Sequence, residues 1–165
     1  MKPEARSRRM AAEARHPLAE LLECPPETAN LLSGSAQCID FKAGQIVFGQ
    51  NEIGQGLYLV ISGVLQRQAE RMRMRLTLGA VRAGDLVELA AALGECSHTY
   101  SLRAQTDGCA LLLPIQALRE AFQAYPPLRM NLLEELAREV SRAYRTCCLE
   151  RPARTRGLES GAAAG

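Results

Sequence analysis

Residues 56–63 read Gly56-Leu57-Tyr58-Leu59-Val60-Ile61-Ser62-Gly63. Five consecutive apolar residues bounded by glycines have the length of a strand and fall short of a helix. The stretch predicts a strand over Leu57–Ile61, a turn at Ser62-Gly63 and a return strand from Val64 to Gln68. Upstream, Cys38, Ile39 and Phe41 predict a strand, Lys42-Ala43-Gly44 a turn, and Ile46-Val47-Phe48 a second strand. Asn51 to Gly56 is a polar loop. Before these, Leu18, Leu21 and Leu22 fit a short helix broken by Pro25-Pro26, and Thr28 to Leu32 another that closes near Gly34.

Downstream, Arg71, Arg73 and Arg75 alternate with Met72, Met74 and Leu76. That period of two predicts a half-buried strand, whose charged face is either solvated or an anion-binding ribbon. Gly84-Asp85 makes a turn, and Leu86 to Leu93 is Ala-rich enough to predict a short helix. Tyr100, Leu102 and Ala104 alternate with polar neighbours, and Cys109 to Leu113 is a continuous apolar run; both read as strands. Pro114 ends the second and opens a helix over 115–124. Pro126-Pro127 precedes a long helix, residues 128–149, with no Gly or Pro inside it. Along it Leu133, Leu136, Val140, Ala143 and Cys147 keep the 3-4 spacing of a heptad seam, widened by Leu132 and Tyr144. Short strands with glycine turns and then a long helix make the chain mainly β with flanking helices. The expected architecture is a β-roll or jelly roll followed by a long C-terminal helix. Residues 1–16 are expected to be a flexible basic segment, 17–150 the domain, and 151–165 a disordered tail.

The 165 residues suffice for one domain, which needs no disulfide or metal staple. Apolar residues at 47% and charged residues at 23% are a globular balance. No run approaches a membrane span, and no apolar segment follows the basic N-terminus as in a secretory signal. A cytoplasmic location is expected. The net charge of +2 conceals basic ends on an acidic body. Residues 1–15 and 142–165 each carry five basic and two acidic side chains. Basic tails on an acidic centre are not the footprint of a nucleic-acid-binding core. Seven aromatics and no Trp also argue against stacking platforms for single strands. The six cysteines, at 24, 38, 96, 109, 147 and 148, contain no CxxC, so reduced thiols are expected.

Phe41-Lys42-Ala43-Gly44-Gln45, Gly49, residues 56–63, Gly84-Asp85-Leu86-Val87 and Leu102-Arg103-Ala104 stand in one order and spacing. In these the chain resembles the cyclic-nucleotide-binding domain that begins Crp/Fnr transcription regulators, over about residues 18–150. The resemblance implies a pocket formed by a short helix after the Gly-Asp turn and a returning hairpin. In nucleotide binders that segment carries a Gly-Glu pair for the ribose and, further on, an Arg followed by Ser or Thr and Ala for the phosphate. Without gaps, the Gly-Glu pair falls on Glu88-Leu89, the Arg on His98, the hydroxyl residue on Thr99 and the Ala on Tyr100. A one-residue deletion before Glu88 restores the carboxylate, but the Arg is still absent. Histidine cannot make arginine's bidentate contact, and Tyr100 fills space an Ala leaves open. The candidate pocket is therefore Val87, Glu88, Leu89, His98, Thr99, Tyr100 and, from the long helix, Tyr144. Cyclic AMP and cyclic GMP are expected to bind poorly.

Cys96 and His98, with His16 or Cys109, are candidate metal or haem ligands, but two ligands on one hairpin do not make a four-ligand site, so no cofactor is expected. Two histidines are too few for a cupin enzyme, and no nucleophile triad or phosphate loop is present, so no enzyme is expected. The expected function is a regulatory sensor domain with a degenerate phosphate box, signalling through a dimerising helix to an unknown small-molecule or protein partner. The alternatives are a ligand-free dimerisation or partner-binding module and a truncated transcription regulator. No membrane partner is expected. With no further apolar period after the long helix, sequence-specific DNA binding by this chain alone is not expected either.

Overall fold

The computed structural model describes residues 15–72, 74–94 and 97–149, and side chains within them from Leu18 to Arg145. The predicted segments 1–14 and 151–165 and the side chains of His16, Cys96, Cys147 and Cys148 lie outside the described residues. Helices α1 (Arg15–Leu21) and α2 (Pro26–Ser35) lead into β1 (Gln37–Phe41) and β2 (Ile46–Phe48). Then come β3 (Gly56–Ser62), β4 (Val64–Arg71), β5 (Met74–Arg82), β6 (Leu86–Val87) and the short α3 (Leu89–Leu93). After β7 (Ser101–Ala104) and β8 (Gly108–Pro114) the chain ends in α4 (Ile115–Ala124) and α5 (Pro127–Leu149). The strands form two antiparallel four-stranded sheets, ordered β1-β8-β3-β6 and β2-β7-β4-β5.

Two cores flank the first sheet. Between the sheets lie Phe41, Phe48, Tyr58, Val60, Leu65, Val87, Leu102 and Leu112. On the opposite face Leu57, Leu59, Leu111 and Leu113 meet Leu18, Leu32, Leu118, Leu128 and Leu132 of the helices. The side-chain period of two divides β3 and β8 between the cores, which is why both read as unbroken apolar runs. Each fully buried leucine contributes about 1.5–3 kcal/mol. Glycine is required where β3 begins: a Cβ on Gly56 would sit 2.0 Å from the Leu113 carbonyl oxygen. Across the far end of the same ladder, a Cβ on Gly108 would sit 2.2 Å from the Ser62 carbonyl oxygen.

The two sheets, the helix at 115–124 and the long helix follow the sequence reading; two segments depart from it. Leu86 to Leu93 is not one helix. Leu86 and Val87 pair with Leu59 and Tyr58 of β3, Glu88 turns the chain, and α3 starts at Leu89. Pairing with β3 outweighs the helix propensity of the alanines that follow. Nor is the Arg/Met alternation one half-buried strand. It spans the β4–β5 hairpin, whose turn has Met72 at φ 50°, and Met74 and Leu76 are exposed on the edge strand.

Candidate functional site

The site forms where β6 hands over to α3. Glu88 stands between them in the left-handed region, φ 71° and ψ 39°. For a residue with a Cβ that conformation costs about 1–2 kcal/mol. Its side chain, in a residue only 5% exposed, meets His98, itself 1% exposed. Glu88 Oε2 and His98 Nδ1 share a hydrogen bond of 2.6 Å. The His98 backbone is clamped by the loop that follows β2. Its N–H donates to the Glu52 carbonyl at 2.9 Å, and its carbonyl accepts from the Asn51 N–H at 2.8 Å. Gly54 lets this loop lie on α3, since a Cβ there would come within 2.8 Å of the Ala91 Cβ. Phe48 stacks on the imidazole, with centroids 4.0 Å apart and planes 22° apart.

Three of the chain's seven aromatics enclose this pair. Phe48 lies 5.4 Å from Tyr58 and 5.8 Å from Tyr100, tilted against both. Burial, and next the Glu88 carboxylate, push both tyrosine hydroxyls above their usual range, so each remains a neutral donor. Over the Tyr100 ring, 5.7 Å from its centroid, sits the Arg67 guanidinium of β4. Arg67 forms an ion pair of 2.5 Å with Glu139 of α5. The two side chains are 17% and 24% exposed, so the pair reaches solvent at the seam between roll and helix. Burial pushes the Glu139 carboxyl up, and the pull of Arg67 and then Arg142 does not offset it. The Nε of Arg67 is buried and has no hydrogen-bond partner among the described residues. The Glu88 carboxylate is thus engaged by a neighbouring side chain, and among the described residues the one buried side-chain donor without a partner, Arg67 Nε, comes from another strand.

Of the seven residues expected at the pocket, the structure brings Glu88, His98 and Tyr100 together, with Val87 beneath them in the inter-sheet core. Leu89 faces away, into the helix-side core, because the left-handed turn at Glu88 switches sides. Thr99 is exposed, and Tyr144 is 71% exposed, so neither lines the pocket. In the places expected for Leu89 and Tyr144 as pocket residues, Phe48, Tyr58 and the Arg67–Glu139 pair surround Glu88, His98 and Tyr100. Sequence reasoning did not single out these residues. Phe48, Tyr58 and Arg67 sit at inward strand positions, where period two could have flagged them; Glu139 carries no local signal. Along α5, Leu133 is 40% exposed and Val140 59%, and Ala143 is exposed. Leu136 departs from that set, since it packs partly on its own helix-side core.

The model of the cyclic nucleotide-binding domain family matches residues 38–125, more than half of the chain. Among curated proteins, the HTH-type transcriptional regulator Cmr of Mycobacterium tuberculosis is 25% identical over 117 residues, 71% of this chain and 48% of that protein. The chain therefore spans about half the length of this relative. The catabolite activator protein of Thermus thermophilus superposes with a TM-score of 0.66 at 27% identity, covering 76% of this chain and 59% of that one. The sensor domain of the transcriptional regulator DNR from Pseudomonas aeruginosa shares the fold at 18% identity and TM-score 0.66, over 92% of this chain and 99% of that one. No helix among the described residues is long and apolar enough to cross a membrane. With the matched region spanning β1 to the end of α4 and enclosing the Glu88–His98 pair, this chain belongs to the cyclic nucleotide-binding domain family.

Proposed function

We propose that the chain is a regulatory domain, not an enzyme, whose pocket does not take cyclic AMP or cyclic GMP in the family's usual way and whose output passes through a dimer along α5. The observation that carries this reading is the buried 2.6 Å bond between Glu88 and His98. The carboxylate corresponding to the ribose ligand is already satisfied, and the position corresponding to the phosphate-binding arginine holds its partner. A cyclic nucleotide would have to break that bond and find no guanidinium at residue 98. Losing one charge-assisted bidentate contact costs about 1.5–3 kcal/mol, roughly ten- to a hundredfold in affinity. Isothermal titration of the full chain with cyclic AMP and cyclic GMP is expected to give no binding tighter than about 100 μM. A low-micromolar dissociation constant for either overturns this reading.

Support for the dimer comes from Leu133, Val140 and Tyr144, large apolar side chains exposed along one 23-residue helix. A contiguous exposed stripe of this kind marks an interaction surface. Regulation of transcription is the output we assign, by analogy with the regulators that the chain resembles. The closed surroundings of Glu88 and His98 also favour a second reading, a ligand-free partner-binding module. The two separate on whether any small molecule shifts the state of α5.

A further inference from the structure

We propose that Arg67 is the domain's anion-binding residue, and that a small oxyanion, phosphate or carboxylate, binds it in competition with Glu139. This deepens the regulatory reading above by naming a ligand class and the contact it changes. The guanidinium is attached to β4, so it approaches the pocket from the sheet and not from the hairpin that carries His98. Its Nε–H has been taken out of water without receiving an acceptor, which leaves a donor that one properly placed oxygen would satisfy. Glu139 occupies the terminal nitrogen Nη2. An oxyanion bridging Nε and the near terminal nitrogen is the bidentate geometry that arginine favours. The Tyr100 ring lies beneath the guanidinium, its centroid 5.7 Å away. Both members of the pair reach solvent, so an incoming anion meets the terminal nitrogen that Glu139 holds and reaches the buried Nε–H by displacing that carboxylate.

Glu139 is the ligand's internal substitute. The first half of α5 is fastened to the domain by buried Leu128 and Leu132. Asn131 adds to this, its Nδ2 donating to the Leu22 and Glu23 carbonyls at 3.4 and 3.2 Å. Beyond Leu136 the hold passes to the Arg67–Glu139 pair, while Val140 and Arg142 to Arg145 are exposed. An anion that takes Arg67 releases Glu139 and with it the second half of the helix, the part that carries the outer seam. Anion binding and helix docking are thereby linked, and each weakens the other by the same factor.

The test uses the full chain with inorganic phosphate and, separately, acetate as probes, followed through the side-chain Nε–H resonance of Arg67. Glu139→Gln removes the competing charge and keeps the side chain's shape; it is expected to tighten phosphate binding roughly ten- to a hundredfold over wild type. Arg67→Lys keeps the cation but has no Nε–H, and it is expected to lose that gain when introduced with Glu139→Gln, as read by calorimetry. In wild type, saturating phosphate is expected to speed amide exchange in the α5 turn that follows Glu139. Equal phosphate affinity in wild type and Glu139→Gln overturns the proposal, as does unchanged affinity in the Lys variant. Tighter binding of phosphate than of acetate assigns the ligand to phosphorylated compounds, and the reverse order to carboxylates. Tight cyclic nucleotide binding would sink the earlier reading and leave this competition standing. Failure of the Glu139→Gln gain, with cyclic nucleotides still excluded, would sink only the oxyanion proposal.

Discussion

Replacing His98 by alanine strips the Glu88 carboxylate of its 2.6 Å partner, leaving it the Tyr100 hydroxyl, in a place where it cannot reach water. Glu88 is 5% exposed and His98 1%, so neither group is rescued by solvent when the other goes. The hydrogen bond itself, with one ionised member, is worth about 1.5–3 kcal/mol. The ring stack on Phe48 adds about 0.5–1.5 kcal/mol. The stranded buried charge dominates, bringing the cost of breaking such a pair to about 3–5 kcal/mol. Glu88→Gln is the control, because its amide oxygen still accepts from the imidazole N–H and carries no charge to strand. On that background His98→Ala forfeits a neutral hydrogen bond and the stack and leaves a cavity, about 1–3 kcal/mol in all, so the two residues should couple by about 2 kcal/mol. Equilibrium urea unfolding at one fixed protein concentration, followed by far-UV circular dichroism because the chain has no Trp, measures all four corners of the cycle. Equal costs of His98→Ala in both backgrounds would refute the view that this bond compensates the burial of the pocket's carboxylate.

Val140→Glu tests the dimer more cleanly than a change at Leu136, which packs on its own core. Like charges meeting across a two-fold seam cost several kcal/mol and should weaken association at least about a hundredfold. Light scattering is expected to fall from about twice 18.0 kDa in wild type to 18.0 kDa in the variant, and a wild-type mass of one chain would remove the dimer from the account. Glu139 gives a pH signature. It is faced by Arg67 from β4, by Glu135 and Arg142 on its own helix and by Glu88 beyond β6, and burial raises its carboxyl above 4.5. The folded state then binds this proton more tightly than the unfolded chain, so stability declines as pH rises from about 4.5 through the raised value. Relative to Glu139→Gln, wild type should lose stability over that window; a relative gain contradicts the burial effect.

The fold was legible where the period of side chains and the turn glycines agree. Residues 56–63 and 108–114 carry continuous apolar runs because both faces of those strands are buried, and Pro114 marks the start of α4. Leu86 to Leu93 misled because alanines favour a helix locally, whereas Val87 is claimed by Tyr58 of β3, 29 positions earlier in the chain. The hairpin at Met72 was hidden because an Arg/Met alternation continues unbroken through the turn. Within the site, the Glu88 and His98 positions were implied by the family resemblance, but their bond was not, since the left-handed turn at Glu88 brings the two side chains together. The Arg67–Glu139 contact joins a strand to a helix 72 positions later and leaves no pattern in either.

The ladder between β3 and β8 is the partition common to both cores. If the helices undock, the inner faces of these strands keep their contacts between the sheets; if the second sheet peels away, their outer faces keep the leucines of α4 and α5 as cover. Neither partial opening exposes the whole ladder. Amide protons from Leu57 to Val60 and from Ala110 to Leu113 should therefore exchange only through global unfolding, while those of α5 beyond Leu136 exchange through a local event. The long helix can loosen, dock or change partners at modest cost while the β3–β8 wall remains intact. A domain built this way can remodel its long helix repeatedly without approaching its own unfolding transition.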